Sequence, residues 1–164
     1  MIEVTLTYAE IKMAVTVGIE REIYAITHNL RQMAGASAAE SWSTNIEGAA
    51  GELAFAKATG CYWNGIVGRD AFHSNGTADV ANIQVRLCRP LNGHLIIQPN
   101  DPPGFYVHVT GHIPYFRIQG WAEWPGCETF KAVLVPGRPA CICVRPTAIR
   151  PMAELKIERP GYDN

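Results

Sequence analysis

Near the start of the chain, apolar or small residues recur at helical spacing: Ile11, Ala14, Val15, Gly18, Ile19, Ile23, Ile26 and Leu30 form one broad stripe. Thr7 precedes the stripe with Glu10 three residues on. In that Thr-x-x-Glu pattern side chains and backbone donors satisfy each other, so a long amphipathic helix is expected to start there. Gly35-Ala36-Ser37 is expected to break it. A second helix is expected from near Thr44, where Thr44-Asn45-Ile46-Glu47 again has the capping form, to about Gly60, a residue suited to a helix C-terminus.

Beyond Gly60 the pattern changes to short runs of β-branched and aromatic residues at 82–88, 94–98, 105–110, 115–124 and 140–144, which predict strands. Turn-forming residues at 90–93, 99–104 and 111–114 separate them, so the central strands are expected to form a largely antiparallel meander. Residues 147–155 predict a short final helix and 159–164 a tail. Helices followed by a run of strands point to the α/β class in its α+β form, a mixed and mainly antiparallel sheet flanked by helices. No repeat or linker divides the chain, so residues 1–164 are expected to form one domain.

Composition fits that picture. At 164 residues, with 48% hydrophobic and 18% charged positions, the chain has the makeup of a domain that buries a core without disulfides. The formal net charge of -1 gives no long-range attraction to a polyanion, so nucleic-acid contact needs a local basic patch. Arg86, Arg89, Arg117, Arg145 and Arg150 are the candidates for one; they are equally readable as scattered surface charges. Residues 1–5 lack the basic-then-apolar pattern of a secretion signal, and no apolar run reaches membrane-spanning length, so a cytoplasmic protein without a membrane partner is expected. The five dispersed cysteines are an odd count and are expected to be free thiols. Cys141 and Cys143 share one strand face, but the Cys-x-x-Cys spacing of zinc sites is absent.

Candidate chemistry begins in the second helix. Residues 46–57 are nearly all small or apolar around Glu47 and Glu52, which lets the helix lie close against a sheet. Five positions turn the two acids roughly 140° apart, so they cannot serve one site equally. Glu47 has the capping role; Glu52 is either a solvated acid or a site acid. Asp79 then precedes the strand on which Ile83, Val85 and Leu87 face one way and Gln84, Arg86 and Cys88 the other. An acid, a carboxamide and a fixed cation in that order suit a phosphodiester site built on a hard divalent ion. The histidines compete less well. His108 and His112 are four apart, but Gly111 and the following turn remove helical geometry, and His28 and His94 read as structural or solvent-facing. His73, shortly before Asp79, is an accessory candidate. Trp63 and Trp121 are readable as base-stacking or as core residues. No Walker-type, Gly-x-Ser-x-Gly or dinucleotide-binding fingerprint is present.

The order of a helix glutamate, Glu52, then Asp79, then a strand carrying Gln84-Val85-Arg86 resembles the PD-(D/E)XK nuclease superfamily. Stretches 46–65, 78–88 and 109–121 also resemble small phage and prophage proteins grouped with it. The resemblance implies a restriction-endonuclease-like αβββαβ core and Mg2+-dependent hydrolysis of DNA phosphodiesters, endonucleolytic or exonucleolytic, with Mn2+ as an alternative ion. By position, Asp79, Glu52 and Gln84 would surround the metal, Gln84 standing in the second acidic position and Arg86 in that of the lysine. Arg86, Arg89 and Arg117 would contact DNA. Gln84 removes one negative charge from the metal, and Arg86 keeps the positive charge but cannot act as a base. The alternative is a catalytically weakened member that binds nucleic acid or a host protein, in the host cytoplasm if phage-encoded. A homo-oligomer is compatible with either.

Overall fold

The structure, a computed structural model, describes residues 1–30, 38–71, 77–98, 101–133 and 140–158. A short strand β1 (Ile2–Thr5) runs directly into helix α1 (Tyr8–Thr27), and Thr7 makes the reciprocal cap with Glu10 that its sequence predicts. The break expected at Gly35-Ala36-Ser37 lies outside the described residues. Helix α2 (Ala38–Thr59) corrects the expected start at Thr44. Thr44 is inside the helix, with its hydroxyl donating to the Glu40 carbonyl at 2.7 Å, while Glu47 pairs with Arg89. The capping pattern was present in sequence but the chain satisfies those groups elsewhere. At the other end, Gly60 takes a left-handed φ of 66° and the Cys61 N–H reaches back to the Ala56 carbonyl at 3.0 Å, closing the helix.

The two helices approach closely because Gly18 lies against the backbone of Ile46; a Cβ there would be 2.4 Å from the Ile46 Cα. Their polar groups pair across the contact, with Asn45 donating to the buried Glu22 carboxylate at 2.6 Å. Lys57 near the end of α2 bonds both Glu10 at 2.8 Å and the Thr5 carbonyl at 2.9 Å, tying the end of α2 to the chain where β1 passes into α1.

The strands are β2 (Ile83–Cys88), β3 (Ile96–Ile97), β4 (Gly104–His112), β5 (Tyr115–Trp124), β6 (Thr129–Ala132) and β7 (Cys141–Val144). Five coincide with the predicted runs; β1 and β6 were not anticipated, being short and without strict alternation. They form a sheet ordered β1-β5-β4-β2 and a smaller one ordered β3-β7-β6. The expected meander is corrected: β3 leaves for the smaller sheet, so β4 pairs with β2 in parallel, Val85 opposite Val107. The remaining pairings are antiparallel. The fold is α+β.

Alternation along the strands builds three layers. Val85, Val107, Val109, Phe116 and Ile118 point to one side and bury against Ala49, Ala50, Leu53 and Ala54 of α2. Gly51 lets α2 lie on Leu87, since an added Cβ would be 3.3 Å from the Leu87 Cβ. Tyr106 and Ala122 point to the other side and bury against Leu95, Ile97 and Val144 of the smaller sheet. The final helix expected over 147–155 is instead two 3-10 turns, Pro146–Ala148 and Met152–Glu154, with Arg150 between them bridging Trp121. Pro151, inside the expected span, lacks the N–H that a continuous helix needs there. After α2 the described elements run β2, β3, β4, β5, β6 and β7 and end in the two 3-10 turns. No helix among the described residues is long and apolar enough to cross a membrane.

Candidate functional site

Strand β2 is an edge of the larger sheet, and a tight turn folds over its start. Val80 and Ile83 close that turn, with the Ile83 N–H donating to the Val80 carbonyl at 2.9 Å. Ala81 sits in it at a left-handed φ of 54°, a conformation costing an L-residue about 1–2 kcal/mol. The turn brings Asp79 back along β2, where its Oδ2 accepts the Val85 N–H at 2.7 Å. An edge donor that would otherwise be unpaired thereby fixes the carboxylate.

Gln84 and Arg86 flank that carboxylate on the face away from the helices. The Gln84 amide donates to the Thr77 carbonyl at 3.0 Å, and its Oε1 accepts from the Arg86 guanidinium at 3.4 Å. Arg86 lies 3.8 Å from the Asp79 Oδ2, donates to Asp101 at 3.1 Å and stacks over the Tyr106 ring at 5.2 Å. Asp101 is held in turn by the Gln98 N–H at 2.9 Å, and Tyr106 donates its hydroxyl to the Pro102 carbonyl at 2.7 Å. Burial and the neighbouring Asp101 push the Tyr106 hydroxyl up to about 12, so it stays protonated at neutral pH.

Glu52 is neither solvated nor free. It is 6% exposed; Oε1 accepts from Arg21 at 2.6 Å, and Oε2 accepts from Arg21 at 2.8 Å and from the Trp63 indole at 3.0 Å. Arg21 is itself anchored to the Ile66 carbonyl at 2.8 Å. The fork-to-fork pair fixes Glu52 from three directions. It is nonetheless within electrostatic reach of Asp79. Burial, then repulsion from Glu52, push Asp79 up to about 7, although 22% of its side chain is exposed; the Val85 N–H and the two guanidiniums pull the other way.

The expected metal set is thus changed. Asp79 and Gln84 stand together with Arg86, while Glu52 serves first as the counter-ion of Arg21. Among the described residues, no three His, Cys, Asp or Glu side chains gather in metal-binding geometry. Mg2+ in its open form is held by one or two carboxylates, with water and substrate phosphate completing its shell; Asp79, whose Oδ2 also accepts the Val85 N–H, is the carboxylate here that stands outside the Arg21 pair. Asp79 would be the anchoring carboxylate and Gln84 a neutral oxygen donor.

The three arginines expected on DNA are not brought together. Arg89 pairs with Glu47, and Arg117 donates to Glu3 at 3.0 Å. Both line a separate hollow of about 300 Å3 with His112 and Tyr115, at the end of the strands opposite Asp79. Arg145 lies over Phe130 and Arg150 over Trp121. Trp63 and Trp121 are core residues, Trp121 donating to the Pro151 carbonyl at 3.0 Å. His108 is buried in β4, His28 caps α1 stacked on Tyr24, and His73 lies outside the described residues. The sequence reading missed Arg21, Asp101 and Tyr106. Arg21 carried a signal, as one of two charged residues, with Glu22, among the otherwise small residues Ala14, Gly18 and Ala25 that α1 buries; Asp101, in a proline-rich loop, carried none. Comparison with protein-family models, with curated proteins and with solved structures finds no match for this chain.

Proposed function

We propose that this protein is a metal-dependent nuclease of PD-(D/E)XK type that hydrolyses DNA phosphodiester bonds at Asp79, Gln84 and Arg86. The observation that carries this reading is the placement of Arg86 3.8 Å from Asp79, a carboxylate that Glu52 crowds electrostatically. A cation-attracting acid and a phosphate-attracting guanidinium then lie side by side on one open sheet edge. A divalent cation held at Asp79 supplies positive charge to the phosphoryl group and to the attacking water. Arg86 meets the non-bridging phosphate oxygens with a charge that never titrates. Gln84 holds the Arg86 fork in register, and Asp101 with Tyr106 fixes its far side. Glu52 raises the affinity of the site for positive charge by acting on Asp79 without occupying its coordination.

The same engagement of Glu52 by Arg21 and Trp63 favours a second reading, a nuclease-fold protein that binds nucleic acid or a host protein without cutting it. Incubation of pure protein with plasmid and with single-stranded DNA, in Mg2+ and in Mn2+, separates the two. Cleavage that disappears in Asp79→Ala is the expected result. Retention of DNA without cleavage in both ions supports the second reading, and cleavage equal in the variant removes the site assignment.

A further inference from the structure

The sheet face that carries Gln84 and Arg86 continues across β4 into a second cavity, of about 410 Å3, between the two sheets. Its polar walls are Asn92, His94, His108 and Gln119, and its apolar walls include Leu95 and Val144. The volume lies within the range of small-molecule sites, roughly 300–1,000 Å3. None of the described lining residues is acidic, Lys or Arg, so an ionic group would enter without a counter-charge.

One lining group lacks the partner its burial calls for. His108 is 6% exposed, and its Nε2 is buried with no hydrogen-bond partner among the described residues. A polar atom in that position has lost its water without return. Burial, then the nearby His94, hold His108 down to about 4, so the ring is neutral, with one donor and one acceptor nitrogen. Gln119 donates its amide to Thr110 at 2.7 Å, which leaves its carbonyl oxygen as an acceptor.

Arg86 and His108 are register partners on adjacent strands, about 4.8 Å apart in strand spacing. Their side chains leave the same face of the sheet, the Arg86 guanidinium directed toward Asp101 and the His108 ring lining the cavity. We propose that this cavity receives an unstacked, uncharged nucleobase from the strand whose phosphate stands at Arg86, with His108 and Gln119 meeting its hydrogen-bonding edge. The proposal rests on the reading of Arg86 as the phosphate contact. Carboxamide and imidazole groups suit a base edge, and apolar walls suit its faces. Held there, the base would fix which phosphodiester lies beside Asp79.

The test uses the full chain and no cleavage reaction. Each of the four deoxynucleosides is titrated separately, with 2-deoxyribose 5-phosphate as the control, while NMR follows the Leu95 and Val144 methyls and the His108 ring. At least one nucleoside is expected to shift these signals saturably while the sugar phosphate leaves them in place. His108→Phe should weaken that binding about tenfold. Asn92→Ala, at an exposed turn position, should weaken it without disturbing the core. Signals that move for no nucleoside, or equally for the sugar phosphate, overturn the proposal, as does unchanged affinity in folded His108→Phe; if that variant does not fold, unchanged affinity in Asn92→Ala overturns it. Nucleoside binding without DNA cleavage would retain the cavity and remove the nuclease reading. Cleavage without nucleoside binding would do the reverse.

Discussion

Arg21 on one helix and Glu52 on the next form a two-pronged ion pair, 2.6 and 2.8 Å, with neither side chain more than 9% exposed. Two charges withdrawn from water at that depth depend on each other. Glu52→Gln leaves the Arg21 guanidinium buried beside a neutral amide, and the expected loss is about 3–5 kcal/mol of unfolding free energy. Urea denaturation at neutral pH measures it. A loss within the range of an exposed pair, under about 1 kcal/mol, would mean that the pair is solvated in solution.

Asp79, whose pKa is raised from 3.8 to about 7, makes its own contribution to the pH dependence of stability. Between those values the folded state holds a proton at Asp79 that the unfolded state has released, so this contribution falls as pH rises across the window and levels off above it. Asp79→Asn removes this contribution. Comparing urea midpoints of wild type and variant at about pH 4 and about pH 8 should show the wild type losing stability relative to the variant at the higher pH. Parallel behaviour of the two proteins would contradict the raised value.

Two arginines that look alike in sequence are expected to behave differently. Arg86→Ala should slow cleavage by about 100-fold or more, with Arg86→Lys recovering part of the rate because it keeps the charge and loses the fork. Arg117, half-exposed and paired with the exposed Glu3, should tolerate Ala with under about 1 kcal/mol of destabilisation and no change in rate. Single-turnover cleavage and thermal unfolding on the three variants check this. Equal rates for Arg86→Ala and Arg117→Ala would remove the distinction between the two ends of the sheet.

Gly18 sets the spacing of the two helices and thereby the position of Glu52. Gly18→Ala places a Cβ 2.4 Å from the Ile46 Cα, which only a backbone shift can relieve. The expected cost is about 1–3 kcal/mol, read from urea unfolding. A stabilised variant, as helix propensity alone predicts for Gly to Ala, would mean that the helices stand further apart.

Much of this arrangement was legible in the order of residues. The Thr7 cap, the turn at Gly60 and the alternation that puts Val85 inward and Gln84 and Arg86 outward are local, and local chemistry decided them. The start of α2 was misread because a Thr-x-x-Glu pattern has the same appearance inside a helix, where Thr44 bonds the preceding turn. The parallel pairing of β2 with β4 was hidden because alternation fixes which face a residue takes and says nothing of which strand lies beside it. For the same reason the sequence placed Glu52 on a buried helix without revealing Arg21, a partner 31 residues away. Asp79, Gln84 and Arg86 were found together because six residues and one tight turn separate the first from the strand bond that holds it.

The central claim is that Asp79 anchors a divalent cation beside Arg86, and Mn2+ binding followed by paramagnetic broadening of assigned NMR signals tests it most directly. At substoichiometric Mn2+ the signals of Asp79, Gln84 and Val85 should broaden first, and Asp79→Asn should abolish that selectivity while the protein stays folded. Broadening spread evenly over the surface, or centred on Asp79 and unchanged in Asp79→Asn, would contradict the account.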